Sequence, residues 1–496
     1  MRASGEVGQL NTIAVITKDR PEALKRGLNS YIENALLFKH NPDIVVADDS
    51  QKGADENQKI LTELAQSHNI NIFYLGFREK EALIKSLSET SGIDKTIIEF
   101  AVLDSQNTQF TPGANRNSLL LELAGTPFLC VDDDSVCNIG VAASYDSAST
   151  LLLTRKNLTE ILPFKDLKQC SGSVKKGDFD LLGQHRKWLG KTLDECLKES
   201  VYSKEENFPS QKDSQVRMTW TGFYGDSGVK HSNYLLSNSS VNRDVLFKDE
   251  QTYRENLMSR QVRFSTPSTV LSFGNYTHSM VQAFDNSGLL PPFIPVYRGE
   301  DHGFAQLTQI CLDDFLNCSL PLVVEHSPIP SRTNSFDDRF EGVKRLDFII
   351  FFRFCISAFK PNVNFSKNDQ FRFLGNYLQE LGMRNLEGFK DFIQLTSTSY
   401  LQFQISKMIS MLEAFPDGPP FWKSDIEKIM DILEDRLMSG DSISPHDVKG
   451  ESGEEKVSFG QTLIYEMGLL IEAWPKIYST ALNLRKTEMR FARKLG

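Results

Sequence analysis

The feature that most constrains the fold is a set of short apolar runs that end in polar or acidic side chains and alternate with helically spaced segments. "TIAVIT" (Thr12–Thr17) is stopped by "KDRP", after which Leu24, Leu28, Ile32 and Leu36 recur at helical spacing. "DIVVADDS" comes next, then the helix-like "NQKILTELAQSH" and the strand-like "INIFYLG". Strand, helix, strand, helix, strand predicts an α/β domain with a parallel sheet, whose ligands sit at the carboxyl ends of its strands. Further on, "TPGANRNSLLLELAGT" reads as a loop feeding a helix, and "PFLCV" as a buried strand running straight into Asp132, Asp133 and Asp134. Thr17, the Asp48/Asp49 pair and the aspartate triplet are thereby expected along one edge of the sheet.

At 496 residues the chain exceeds the roughly 250–300 residues that one core sustains, so two domains are expected. The net charge of −10 lacks the basic balance that phosphate neutralisation requires, which argues against nucleic acid as a partner. Seven scattered cysteines without a C-x-x-C pair fit neither a zinc ribbon nor a disulfide framework and read as reduced thiols in a cytoplasmic setting. The N-terminus has no apolar signal core, and no window reaches the ~20 apolar residues that span a bilayer. "FIIFFRFCISAF" (348–359) comes nearest; it is short, carries Arg353 and reads as a buried helix, with a surface touching lipid or a partner as the alternative.

Residues 1–335 are expected to hold the α/β domain, with a lysine-rich, partly helical insertion at about 155–215. From 336 to 496 the pattern turns almost wholly helical and predicts an all-α C-terminal domain. Within it, the Ser-, Gly- and acid-rich interval 439–456 reads as a mobile loop, and the terminal helix is expected to continue to the end of the chain. Its basic "NLRKTEMRFARKLG" reads as a solvated helix end or as a peripheral contact with anionic lipid.

Three adjacent carboxylates repel one another unless a cation sits among them. Hard divalent ions such as Mg²⁺ and Mn²⁺ are held by one or two carboxylates together with substrate phosphates, and alternation along a strand lets Asp132 and Asp134 act together. An acidic turn is the structural alternative. In order and spacing, "TIAVITKDRP", "DIVVADDS" and "GANRNSLLLELAGTPFLCVDDDSV" resemble the GT-A glycosyltransferases, most closely glycosyltransferase family 2, over about residues 10–140. The resemblance implies a GT-A fold, a nucleotide-sugar donor (UDP-linked in preference to GDP-linked) and a Mn²⁺ or Mg²⁺ ion. It places Thr17 and Asp49 at the base, Asn115, Arg116 and Asp133 near the donor, Asp132 at ribose or sugar, and the metal on Asp134 with Asp132.

"VYRGEDHGFAQL" resembles the acidic motif that faces the acceptor in inverting members of that family. Inversion needs a base for the acceptor proton; Asp301 is the first choice and Glu300 the second, while both also suit a helix N-terminus. His326 in "LVVEHSPIP" is the candidate third metal ligand, with His302 as its competitor. "MTWTGFYGDSG" reads as a loop in which Trp220 stacks on a sugar or else serves the core. No phosphate-loop or dinucleotide fingerprint and no nucleophile elbow occurs. The acceptor, whether glycan, protein, lipid or small molecule, is not legible. A retaining transferase, a sugar nucleotidyltransferase and a degenerate GT-A scaffold are the alternatives.

Overall fold

The computed structural model describes residues 9–142, 150–205, 208, 212–273, 280–312, 314–361, 365–439 and 443–496. It is an α/β protein built on one large mixed sheet. β1 (Thr12–Thr17), β2 (Asp43–Asp48), β3 (Ile72–Leu75) and β4 (Phe128–Asp132) pair in parallel in the order β3-β2-β1-β4. Their register sets Thr17 beside Asp48 and Ile16 beside Asp132. Next to β4 runs the antiparallel strand Val281–Phe284, followed by the long strand Gln215–Asp226 and then Phe315–His326, which is parallel to it. Two reversals restore the direction of β4, so Asp132, Asp226 and His326 end at the same edge.

Alternation along β1 divides its side chains between two cores, as expected for strands covered on both faces. Ile13 and Val15 pack with Leu24, Leu28 and Ile32 of the helix Pro21–Leu37. Ala14 and Ile16 belong to the opposite core, which reaches Phe304, Phe351, Trp422 and Trp474.

That second core crosses residue 335 without a break. From the helix Gly453–Lys486, the Trp474 indole donates to Leu290 O at 2.7 Å and the Tyr478 hydroxyl to Asn286 O at 2.5 Å. The helix Phe348–Ser357 is buried through Phe348, Phe351, Phe352 and Phe354. No helix among the described residues is long and apolar enough to cross a membrane.

One sequence expectation requires correction, and the structure adds detail to two others. The terminal helix stops at Lys486, and Arg493–Leu495 adds an antiparallel strand to β3, so the region is not all-α. Its cations are engaged there: Arg490 pairs with Asp43 and Arg493 with Glu79, both at 3.0 Å. Within 439–456, residues 440–442 lie outside the described ones, but the rest is held: His446 N bonds Leu346 O at 2.8 Å, Val448 is buried and Ser452 caps the following helix. Residues 155–215 are partly helical, with the helices Leu167–Gly172, Leu181–Arg186 and Leu193–Lys198, and Glu160–Phe164 and Tyr202–Lys204 also join the main sheet through neighbouring strands. Residues 206, 207 and 209–211 of that stretch lie outside the described ones.

A core shared across residue 335 predicts that Trp474→Ala lowers the stability of the whole chain by about 3–5 kcal/mol, the usual cost of truncating a buried aromatic. Urea unfolding followed by far-ultraviolet circular dichroism should show one transition at a lower midpoint. Two separated transitions in the parent protein would contradict the shared core.

Candidate functional site

The site grows out of the two-residue turn Asp133-Asp134 between β4 and β5 (Ser135–Ala142). Its backbone is held from several sides. Ser135 Oγ bonds Asp132 O at 2.7 Å, the amide of Ser327 donates to Asp134 O at 3.0 Å, and the Tyr31 hydroxyl meets Ser135 Oγ at 2.8 Å. Gly27 lets the helix Pro21–Leu37 come close: a Cβ there would stand 2.6 Å from Asp133 O and 2.7 Å from Ser135 O, both backbone atoms.

The cations among the carboxylates are arginines. One guanidinium of Arg20 forks across two aspartates, 3.0 Å from Asp133 Oδ1 and 2.7 Å from Asp134 Oδ2. Asp133 also accepts from the Thr17 hydroxyl at 2.8 Å. Arg116, fully buried in the helix Pro112–Glu122, reaches Asp132 at 2.7 Å and Glu300 at 3.9 Å. His326 Nε2 lies 3.3 Å from the free oxygen of Asp134, and its other nitrogen meets Asp226 O. Asp226, ending the long strand, is paired with Arg260 at 3.1 Å and Arg332 at 3.0 Å.

Arg20 is aimed by its neighbour. Asp19 adopts a positive φ of 53°, uncommon for a residue with a Cβ, and its carboxylate accepts from the amides of Gln51, Lys52 and Gly53 at 2.9–3.1 Å. The loop after β1 is thereby tied to the loop after β2. Farther along the edge, Asp49 is bound by Lys80 and by the Thr111 hydroxyl at 2.7 Å. Lys80 also donates to Asn115 at 2.6 Å, whose amide group reaches Thr17 O at 3.3 Å. Asp48 is committed inward, to Tyr74 and Asn57 at 3.0 Å each.

Burial and pairing divide the triplet. Burial, aided by Asp134 and opposed by Arg116, pushes the Asp132 carboxyl up to about 6. Burial likewise pushes Asp133 up to about 7, against Arg20. At Asp134 burial also disfavours the charge, but His326 and Arg20 outweigh it and hold this carboxyl well below the usual range. The same contact raises His326 despite its burial. Burial raises Glu300 to about 7, opposed by Arg116.

Thr17, Asp49, Asn115, Arg116, Asp132, Asp133, Asp134, Glu300 and His326 therefore lie in one connected network. Asp301 is half-buried on the opening turn of the helix Glu300–Cys311, and His302 is exposed beside it. Trp220 is not brought to the site. The segment expected as a loop is the buried strand Gln215–Asp226, and Trp220 packs against Phe264 at 6.2 Å between centroids. At about 3.3 Å per residue it stands ~20 Å along the strand from Asp226. Sequence reasoning missed Arg20, Lys80 and Arg332. Only Arg20 carried a local signal, as a cation just past the first strand end.

Asp132, Asp134 and His326 do not fit a divalent cation as they stand. Asp132 is taken by Arg116 and Asp134 by Arg20 and His326, so an ion would have to displace a guanidinium already in place. Among the described residues, three ligand-type atoms converge within 4.8 Å at Asp347, His446 and Asp447, far along the chain. There Asp447 accepts from the amide of Phe348 at 2.9 Å and His446 pairs with Asp347 at 3.0 Å, which accounts for the cluster as a helix cap.

No protein-family model matches this chain, and no curated protein does.

The raised Asp133 has a sign that can be checked. The unfolded carboxyl, at about 3.9, loses its proton before the folded one, so this residue's contribution to stability falls as pH rises from about 4 to 7. Asp133→Asn should gain in melting temperature over the parent between about pH 5 and pH 8. A constant difference across that range would show that the carboxyl is ionised throughout.

Proposed function

We propose that this chain is a GT-A-type glycosyltransferase, similar to family 2, that moves a sugar from a nucleoside-diphosphate sugar, UDP-linked in the first instance, to an acceptor hydroxyl with inversion. The observation that carries the reading is the meeting, at the carboxyl edge of the sheet, of four elements the resemblance requires. These are the end of β1 at Thr17, the acidic turn after β4, His326, and the helix that opens on Glu300 and Asp301. Gly113 supports the last placement: a Cβ there would lie 1.8 Å from Ile294 O and 3.2 Å from Glu300 Cβ, so the helix bearing Asn115 and Arg116 is packed directly against that opening.

Three guanidinium groups are available to the leaving diphosphate. Arg20 and Arg332 are partly exposed at their carboxylates. Arg298 is exposed, lies over the Phe110 ring at 4.5 Å and reaches Gly228 O at 3.4 Å, beside the His326 ring. Guanidinium forks match phosphate oxygens, and in a partly desolvated mouth they stabilise charge that develops as the bond to phosphate breaks. Thr17 and Asp49 would face the base, and Asp132 the ribose or the sugar.

In the reaction the acceptor oxygen attacks the anomeric carbon and forms the new C–O bond. The bond from that carbon to the phosphate oxygen breaks, and its electron pair leaves with the nucleoside diphosphate. The acceptor proton passes to Asp301, which is reachable from solvent. Glu300, buried and 3.9 Å from Arg116, acts through that arginine on Asp132 and is a positioning residue.

Two measurements test this. A thermal-shift screen against UDP, GDP, CDP and their common sugar conjugates, with Mn²⁺ and with EDTA, should find one donor that stabilises by about 2.7 kcal/mol at ~100 times its Kd. Binding that appears only with Mn²⁺ would favour the metal-dependent version, and the absence of any shift would favour a scaffold role. With the donor in hand, Asp301→Asn should lower turnover by about 10²–10⁴ while donor affinity holds, the range for losing a general base. Unchanged turnover would remove Asp301 from that role.

A further inference from the structure

Away from the acidic edge, the helices Glu300–Cys311, Phe348–Ser357 and Leu386–Ala414 enclose a half-open cavity of about 440 Å³. Its volume falls within the roughly 300–1,000 Å³ of sites for small ligands. Most of the lining is apolar, contributed by Ile310, Ile350, Phe354, Phe359 and Phe403. Phe403 is 65% exposed at its rim, and Leu395, two turns earlier on the same helix, is 69% exposed. That helix carries apolar residues all round, so its outer side cannot be explained by the core it helps to build.

Three polar groups face this apolar space with unused capacity. Arg353 is half-buried and, among the described residues, has no carboxylate or hydrogen-bond partner. The hydroxyl of Tyr400, whose ring packs on Phe354 at 5.4 Å, makes no hydrogen bond among the described residues. Gln306 Oε1 is buried without a donor. A buried acceptor left bare costs about 1–3 kcal/mol, whereas Arg353 and the Tyr400 hydroxyl keep contact with solvent at the mouth of the cavity. Two more deeply buried arginines of this chain meet carboxylates: Arg217 reaches Asp285, and Arg339 forks onto Asp425.

We propose that the cavity binds an amphiphile with an acidic, hydroxyl-bearing head and one apolar chain, an alkyl phosphate monoester being the class that fits best. Arg353 and the Tyr400 hydroxyl donate to the charged oxygens, and below the second phosphate pKa of about 6 Gln306 Oε1 accepts the remaining P–OH of the monoanion. The chain lies on Ile310, Ile350 and Phe403 towards the open rim. A planar carboxylate satisfies Arg353 but leaves Gln306 bare, which ranks it second. The inference does not depend on the glycosyltransferase reading. It does have a consequence for it, because Gln306, Gln309 and Ile310 stand on the helix that opens with Asp301, so an occupant touches the element that carries the proposed base.

The test is calorimetric titration of the full chain at about pH 5.5, where the phosphate monoanion predominates, with dodecyl phosphate below its micelle concentration and with laurate, dodecanol and inorganic phosphate as comparisons. Dodecyl phosphate should bind with one-to-one stoichiometry, more tightly than laurate, and inorganic phosphate should not bind measurably. Arg353→Gln should weaken dodecyl phosphate tenfold or more and leave dodecanol unchanged. Ser399→Phe, which fills the cavity from the lining without touching the polar set, should abolish binding of both. Each variant is first matched to the parent in melting temperature, and Arg353→Lys serves as a milder head-group variant if the glutamine form does not fold. Equal affinity for dodecanol and dodecyl phosphate, indifference to Arg353→Gln, binding that survives Ser399→Phe, or no binding at all would each overturn the assignment.

Discussion

Everything at the sheet edge depends on neutralising three adjacent carboxylates, two buried and one partly exposed. Two unit charges 4 Å apart interact by about 4 kcal/mol at the effective dielectric of a protein surface, so an uncompensated triplet would drive the turn apart or into its protonated form. Arg20 answers for Asp133 and Asp134 together, Arg116 for Asp132, and His326 for the second oxygen of Asp134. The local backbone is built around these contacts. Asp19 takes a left-handed conformation to deliver Arg20, and Gly27 leaves room for the turn to rest on the first helix. Burial and pairing thereby divide the charge unevenly along the turn, with one carboxyl held low and its neighbours pushed up.

The helical region is not an appendage to this edge. Its Trp474 and Tyr478 fasten the loop that follows Val281–Phe284, and its last three-residue strand completes the sheet beyond β3. The opening of the helix Glu300–Cys311 is set by contact across the same boundary. Gly299 has a φ of 90°, and a Cβ there would stand 2.9 Å from three side-chain atoms of Ile349. The position of Glu300 and Asp301 relative to Arg116 therefore depends on helices more than forty residues away in sequence. The apolar cavity behind that helix belongs to the same arrangement.

Much of the site was legible because its signals are local. Strand alternation followed by a carboxylate located Thr17, Asp48 and the triplet, and an acidic pair after a glycine marked a helix start at Glu300. The segment around Trp220 was read as a loop for a physical reason. Gly222 and Gly225 resemble loop residues, but their missing side chains serve close strand pairing: a Cβ would stand 2.0 Å from Phe264 O at Gly222 and 2.3 Å from His326 O at Gly225. The basic C-terminus was extended as one helix because periodicity carries no information about where a neighbouring sheet edge lies.

What the sequence determined by itself was the alternation of strands and helices and the presence of carboxylates at strand ends. These follow from periodicity and turn chemistry within a dozen residues. Only the tertiary structure decided which cation each aspartate meets, because Arg20 and Asp134 are 114 positions apart, and Arg332 and Asp226 are 106 apart. Coulomb pairing depends on distance through space, and that distance is set only when parallel strands register and their helices close over them.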